Sequence, residues 1–233
     1  RVLDSIGAAC RDAGVAIVTG DTKVVPKGKG DKIFINTSGI GLVSPQARLD
    51  TVRLEEGDAV LLSGTLGDHG ITIMTRQAGL TVAGDLRSDT MPLHRLVARL
   101  LDTLADDIHI LRDPTRGGVA TVINELLEGS DLALEVDAAS LPVRPQVKAA
   151  CELLGLEPLY LANEGKAVAI VNGERAKEAL AIMRSMPEGE GAVLLGRLQR
   201  QEKKRTARLM LRTATGGLRL VAPLQGMALP RIC

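Results

Sequence analysis

The groups in this chain that could do chemistry are a thiol, a few carboxylates, an ammonium and glycine-rich backbone, and they fall in a few short stretches. The chain closes with Gly226-Met227-Ala228-Leu229-Pro230-Arg231-Ile232-Cys233. A terminal residue is ordinarily frayed and exposed, so Cys233 reads as a thiol carried to a reaction on an arm. The alternative is a frayed end that happens to be cysteine. Pro230 fixes φ and removes a backbone donor, so the arm resists helix or central strand, and Gly226 gives it a pivot. From Gly226 onward the arm reaches roughly 25 Å at about 3.3 Å per residue. A compact chain of this length has a radius of gyration of roughly 17 Å. The adjacent α-carboxylate opposes ionisation of the thiol, with Arg231 a partial offset. Whatever modifies Cys233 must therefore bring its own base.

Thr19-Gly20-Asp21-Thr22-Lys23 follows the apolar run Val15–Val18. A flexible backbone, a carboxylate, a hydroxyl and an ammonium in one place suit a phosphate–Mg²⁺ site. An ordinary strand-end turn is the alternative, and the Walker spacing is absent. Ser63-Gly64-Thr65-Leu66-Gly67-Asp68-His69-Gly70 runs from a strand into a helix, a geometry that favours anions through free N–H groups; Asp68 is equally an N-cap and His69 reads as loop structure. In Arg112-Asp113-Pro114-Thr115-Arg116-Gly117-Gly118, Asp113 could serve a metal, Thr115 could cap and Arg116 could hold a phosphate. The paired glycines permit close backbone approach, whether to a ligand or to a packed helix. Asn163-Glu164-Gly165-Lys166 is a polar island in an apolar context. Glu164 is the leading general-base candidate, with a structural Glu164–Lys166 pair as the alternative.

The elements that must position these groups follow from periodicity and punctuation. A helix ends at Gly14 with Val2, Ile6, Ala9 and Cys10 on one face, which puts Cys10 in a core. Strands are expected at Val15–Val18 and Lys32–Val43, separated by the turn cluster Pro26–Asp31. The polar stretch Gln46–Asp58 marks a domain boundary. Ala59–Leu62 is a strand and Ile71–Gln77 a helix. Pro92–Ala105 is a helix with a buried stripe of Leu93, Leu96, Val97, Leu100, Leu101 and Leu104. Ile108–Leu111 is short and apolar, and Val119–Leu127 is a helix. Leu132, Leu134 and Val136 alternate as in a half-buried strand. Pro145–Leu154 is a helix with Pro145 near N1 and Cys151 in the core. Ala167–Val171 is a buried strand, Gly173–Met186 a helix and Ala192–Leu198 a strand. Lys203-Lys204-Arg205 reads as a solvated hairpin turn. Ala207–Arg212 and Leu218–Val221 close the sheet. Intermixed strands and helices indicate an α+β or α/β architecture.

Composition bounds the partners. The chain has 233 residues and a formal net charge of +1, enough for one large domain or two small ones. Near-neutral charge argues against nucleic acid or an anionic membrane as the main partner. Phe34 and Tyr160 are the aromatic residues, so stacking platforms for bases are absent. Cys10, Cys151 and Cys233 show neither metal-ligand spacing nor a disulfide framework, which suits a reducing, cytoplasmic setting. There is no apolar run of membrane-spanning length and no secretory signal. The chain starts at Arg1 inside a helical pattern and reads as a piece of something longer.

Taken together, Val18-Thr19-Gly20-Asp21-Thr22-Lys23-Val24-Val25, Ser63 to Gly70, Asp113 to Val119, Asn163-Glu164-Gly165-Lys166 and Pro230-Arg231-Ile232-Cys233 resemble the HypE family. These are the carbamoyl dehydratases of nickel–iron hydrogenase maturation, in the superfamily of aminoimidazole ribonucleotide synthetase, selenophosphate synthetase and thiamine monophosphate kinase. The resemblance runs from Arg1 to Cys233. It implies a two-domain PurM-like ATP-binding fold of α+β, mixed α/β type. Residues 1–45 would be the rear of an incomplete N-terminal domain, 46–225 the C-terminal domain and 226–233 a mobile tail. It also implies ATP and Mg²⁺, a homodimer in the intact family, HypF as carbamoyl donor and the HypC–HypD complex as cyanide acceptor. The implied reaction is ATP-dependent dehydration of S-carbamoylated Cys233 to a thiocyanate. In it Glu164 accepts protons, and Lys23 stabilises phosphoryl charge or aids deprotonation. Asp21, as metal ligand, acts with Gly20 and Thr22 on Mg²⁺–phosphate. Asn163, Asp113, Gly117 and Gly118 add to the nucleotide cradle. The family's N-terminal Gly-rich segment and first acidic ATP/Mg²⁺ residues are absent from this chain, which leaves its own ATP binding and dimerisation open. A small-molecule kinase or synthetase of the same superfamily and a non-catalytic fragment that presents Cys233 are the rival readings.

Overall fold

The computed structural model describes residues 1–30, 32–80, 82, 84–201 and 207–224. Contacts divide the chain into two units, Arg1–Pro45 and Gln46–Cys233. In the first, α1 (Val2–Ala13) ends where Gly14 turns left-handed at φ 68° and its N–H returns to the Arg11 and Cys10 carbonyls. The helix buries no residue fully, and Cys10 is half-buried. Its expected place in a core is therefore corrected. Val15–Val18 and Lys32–Val43 form no ladder, against the expectation of strands. Apolar, β-branched sequence qualifies a segment for a sheet, but only a partner satisfies its backbone groups. Val18, Val24, Phe34, Ile40 and Leu42 accordingly stay exposed.

The second unit is built on β1 (Ala59–Leu62), α2 (Asp68–Gln77), α3 (His94–Leu104), β2 (Ile108–Arg112), α4 (Gly118–Leu126), β3 (Leu132–Asp137), α5 (Pro145–Leu154), β4 (Val168–Val171), α6 (Ala176–Arg184), β5 (Val193–Arg200), β6 (Leu209–Arg212) and β7 (Leu218–Val221). The strands form one seven-stranded sheet in the order β2-β4-β1-β5-β3-β6-β7. Its pairs are antiparallel except β3 with β6, where Leu134 stands opposite Leu209. β1 and β4 are paired interior strands, with Ala59 opposite Val171 and Leu62 opposite Val168.

Both of these strands are apolar throughout because both faces of the sheet are covered there. Successive side chains point to opposite faces. Val60 and Leu62, with Val168 and Ile170, pack among Val119, Val122 and Ile123 of α4. Ala59 and Leu61, with Ala169 and Val171, pack among Leu96, Leu100 and Leu104 of α3 and Ala179 and Met183 of α6. A smaller cluster joins Ile71 of α2 to Val147 and Cys151 of α5 over Leu161. The expected mixed α/β architecture holds in this unit.

Local signals placed α5 and β7 at their expected bounds, with Pro145 in the first turn of α5. Asp68 does not cap α2. Gly67 takes the cap position and Asp68 is the first helical residue, its carboxylate accepting from the Thr65 hydroxyl. Lys203–Arg205 lies outside the described residues. Cys151 is buried as expected. Burial, then Glu157 and Glu152, push its thiol up to about 11. A thiol reagent at neutral pH is expected to label Cys10 well before Cys151, because the thiolate is the nucleophile. Equal labelling rates would show that α5 does not hold Cys151 in the core.

Candidate active site

β1 and β4 continue past their ends as two bonded loops. Ser63 N–H donates to the Ala167 carbonyl at 3.0 Å, and Ala167 N–H donates to Ser63 Oγ at 2.9 Å. These bonds set Ser63–Gly67 beside Asn163–Lys166. Asn163 is fully buried and joins three loops. Its Oδ1 accepts from Gly67 N–H at 2.8 Å, and its Nδ2 donates to the Pro114 and Leu161 carbonyls at 3.1 and 2.9 Å. Its side chain thus holds the site's loops in place.

Lys166 does not pair with Glu164, the structural alternative read from sequence. It reaches Asp89 instead, with Nζ 3.2 Å from Oδ2 and both side chains buried. Asp89 Oδ1 accepts from Glu164 N–H at 3.1 Å. Two close approaches make this possible. A Cβ on Gly64 would stand 2.7 Å from Lys166 Cε, and one on Gly165 would stand 1.8 Å from the Asp89 carbonyl oxygen. No side chain fits at either position without displacing what lies there.

With its pairing role taken by Asp89, Glu164 is left facing a cleft of about 640 Å³ lined by Asp113, Arg116, Gly117, Thr121 and Leu224. Its Oε1 is buried without a hydrogen-bond partner. Burial pushes its carboxyl up, His69 draws it partly down, and Asp89 and Asp113 push it further up. A desolvated carboxylate with an unused oxygen in a cleft has the character of a general base. Asp68 is also pushed up by burial, offset first by the Thr65 hydroxyl and then by Arg144 and Lys166.

The other wall of the cleft is the start of α4. Gly117 and Gly118 have φ of 75° and 61°, and a Cβ on Gly118 would meet the Leu159 carbonyl oxygen at 2.4 Å. The glycine pair is therefore required by packing of α4 against the Pro158–Tyr160 turn. It also brings the helix N-terminus into the cleft beside Arg112, Asp113 and Arg116. Guanidinium groups, a helix N-terminus and carboxylates together suit a polyphosphate with a hard cation. Among the described residues no three His, Cys, Asp or Glu side chains gather as a metal site.

The structure brings Asp113, Gly117, Gly118, Asn163 and Glu164 together in the second unit. Gly20, Asp21, Thr22 and Lys23 lie in the first unit, exposed, with Thr22 N–H donating to Asp21 Oδ1 at 2.8 Å. Cys233 lies outside the described residues. Sequence reasoning missed Asp89 and Ser88, which sit in a polar stretch without a motif, and it placed His69 in a loop. His69 is in fact buried in the first turn of α2.

A mixed sheet covered on both faces, with loops from the β1–β4 pair gathered at one cleft, defines a class that the comparisons specify. The chain matches the AIR synthase related protein C-terminal domain over residues 55–207 and the AIR synthase related protein N-terminal domain over residues 1–43. Carbamoyl dehydratase HypE of Azotobacter vinelandii is 46% identical over 233 residues, covering 100% of this chain and 67% of that protein. The hydrogenase maturation protein HypE solved in complex with ATP superposes with a TM-score of 0.92 at 48% identity, covering 100% of this chain and 70% of that one. A HypE–HypF complex superposes with a TM-score of 0.88 at 40% identity, covering 96% of this chain and 71% of that one. The chain belongs to the HypE family of carbamoyl dehydratases within the AIR synthase related proteins. It spans about two thirds of the length of the curated relatives it matches.

Proposed function

We propose that this chain is the part of a carbamoyl dehydratase that carries the substrate thiol and the base acting on it. The observation behind this reading is the position of Leu224. It lines the cleft that Glu164 faces, and its N–H donates to Thr121 Oγ1 at 3.2 Å. The last described residue before the arm thus stands at the base's own cleft. Residues 225–233, at about 3.3 Å each, span up to roughly 30 Å, ample for Cys233 to turn back into that cleft or to reach a partner.

In the reaction HypF places a carbamoyl group on Cys233, and the thiocarbamate –S–C(O)NH₂ becomes the thiocyanate –S–C≡N. ATP is the co-substrate that turns the amide oxygen into a leaving phosphate. Glu164 removes the nitrogen protons. Arg116 and the start of α4 hold the polyphosphate, with Asp113 serving its cation. The family resemblance assigns Mg²⁺ binding and phosphoryl charge stabilisation to Asp21, Thr22 and Lys23 of the first unit. Asn163 acts by holding the loops. The HypE–HypF complex of a relative supports HypF as a partner, and the HypE–ATP complex supports the nucleotide; the donor role of HypF rests on the family resemblance. The HypC–HypD acceptor and the homodimer rest on the family resemblance, and a cytoplasmic setting on the cysteine pattern. No helix among the described residues is long and apolar enough to cross a membrane.

The test is mass spectrometry of the C-terminal peptide. The full-length protein is carbamoylated at Cys233 with cyanate and given Mg-ATP. The peptide is expected to lose one water in an ATP-dependent way, and Cys233→Ala to abolish product while ATP affinity stays unchanged. No loss of water would leave Cys233 as a carrier or docking thiol. The span of the chain favours a second reading for it alone, in which it presents Cys233 while ATP chemistry needs residues beyond it. Titrating this chain with ATP separates the two.

A further inference from the structure

We propose that Thr121 and Tyr160 are positioning residues for the dehydration, because they fix the root of the arm against the cleft wall. The inference rests on the dehydration reading and gives it a means of aiming its own thiol.

A chain that has left its last strand ordinarily frays. Here the backbone polar groups from the end of β7 onward are held one after another by side chains. The Val221 carbonyl accepts from Asn124 Nδ2 at 2.8 Å. Asn124 is buried and fixed in turn, its Nδ2 also donating to the Ala120 carbonyl and its Oδ1 accepting from Arg208 N–H, each at 2.7 Å. The Ala222 carbonyl accepts from the Tyr160 hydroxyl at 2.8 Å. Leu224 N–H donates to Thr121 Oγ1 at 3.2 Å. Pro223, between them, has no N–H to satisfy and a fixed φ, and it restricts Ala222 to extended backbone. The two bonds therefore hold one stiff strap rather than two loose points.

The holders are themselves one body. Thr121 and Asn124 are three residues apart on α4 and share a face. Tyr160 ends the turn that Gly118 lets α4 approach, where a Cβ would meet the Leu159 and Leu161 carbonyl oxygens at 2.4 and 2.6 Å. The Thr121 hydroxyl lies against the Gly117 backbone, where a Cβ would stand 2.2 Å from Oγ1. Glycine at 117 thus makes room for the hydroxyl that takes Leu224. Gly117, Thr121 and Leu224 all line the cleft that Glu164 faces.

Magnitudes separate aiming from mere tethering. With the root held at Leu224, the tether to the thiol is the nine residues 225–233. Freed, the root falls back to Val221, and the tether becomes the twelve residues 222–233. Effective concentration falls roughly as the −3/2 power of tether length, so the lengthening by itself costs only about 1.5-fold. A strap that also fixes where the arm starts and in which direction is worth more. Two hydrogen bonds of ordinary net strength favour the held root by about tenfold or more, and orientation at the reacting group follows from it.

The test is ATP-dependent water loss from the full-length carbamoylated protein bearing Thr121→Val together with Tyr160→Phe. These changes keep side-chain shape and remove the acceptor and the donor. The rate is expected to fall about tenfold, with ATP affinity unchanged. Thr121→Ser keeps the hydroxyl and should run near the normal rate. Amide hydrogen exchange at Leu224 should be slow in the wild-type protein and quicken in Thr121→Val. The discriminating arm supplies the substrate separately, as a free carbamoylated peptide of residues 225–233 given at millimolar concentration to Cys233→Ala protein. That peptide should be dehydrated no more slowly with the double substitution than without it. A fall of about twofold or less in the tethered reaction leaves tether length alone and overturns the proposal. An equal fall with free peptide also overturns it, because the two residues then act within the cleft and not on the arm. Wild-type protein that makes no thiocyanate overturns the dehydration reading and this role with it. Intact protection at Leu224 tells that failure apart from a failure of the anchors.

Discussion

Glu164→Gln in the full-length protein is expected to lower thiocyanate formation by about 10²–10⁴-fold, to leave ATP affinity unchanged, and to raise thermal stability slightly at neutral pH. The first effect follows from removing the proton acceptor, since a glutamine side chain has the same shape and no basicity. The third has the opposite sign for a physical reason. Burial holds the Glu164 carboxyl above its ordinary value. A group raised in the folded state supports folding below its unfolded pKa, and that support is lost as pH rises through the folded value. At neutral pH the ionised, desolvated carboxylate therefore opposes folding, and neutral glutamine relieves it. The advantage of the variant should fade on acidification as the native carboxyl becomes protonated. Thermal melts of both proteins across the acidic to neutral range measure this. A Gln variant that dehydrates at the normal rate would remove Glu164 as the base. One that is active and no more stable would mean the carboxylate is solvated.

Lys166→Met is expected to cost about 3–5 kcal/mol, the penalty for leaving one partner of a buried pair uncompensated. Lys166 and Asp89 are both nearly inaccessible and lie 3.2 Å apart, so the Asp89 carboxylate would keep its burial and lose its counter-charge. Against a total stability of about 5–15 kcal/mol for a domain, the loss should move the urea midpoint by about 1–5 M for a slope of about 1–3 kcal/mol/M. The slope itself should not change. Asp89→Asn combined with Lys166→Met should recover most of the loss, because asparagine still offers an acceptor to the Glu164 N–H. A single variant that costs less than about 1 kcal/mol would behave like an exposed pair and contradict the buried arrangement.

Much of the second unit was legible because its signals are local. Proline in its first turn and Gly155 just past its end delimit α5. The apolar runs Ala59–Leu62 and Ala167–Val171 read as strands, the second of them buried, and β1 and β4 form there with every residue buried. The strand expectations at Val15–Val18 and Lys32–Val43 failed because composition describes what a strand buries, while a ladder needs a second segment. Asp68 was misread by one position, since an acidic residue suits both a cap and the first helical turn. The polar islands at Asp113–Gly118 and Asn163–Lys166 were visible as breaks in apolar context. That Asn163 ties them together was not, because its partners Gly67 and Pro114 are remote in sequence.

The sequence by itself determined the inventory: the elements of the second unit, a carboxylate suited to act as base, a thiol at the chain end, and a motif set that assigns the family. Tertiary structure decided how the inventory is used. Glu164 and Lys166 are neighbours in sequence, yet the approach of residues 88–90 gave Lys166 to Asp89 and left Glu164 facing a cleft. The same approach tied His69 to Ser88. Charge pairing and desolvation depend on which loops meet through space, and a carboxylate becomes a base or half of an ion pair according to what the fold sets beside it.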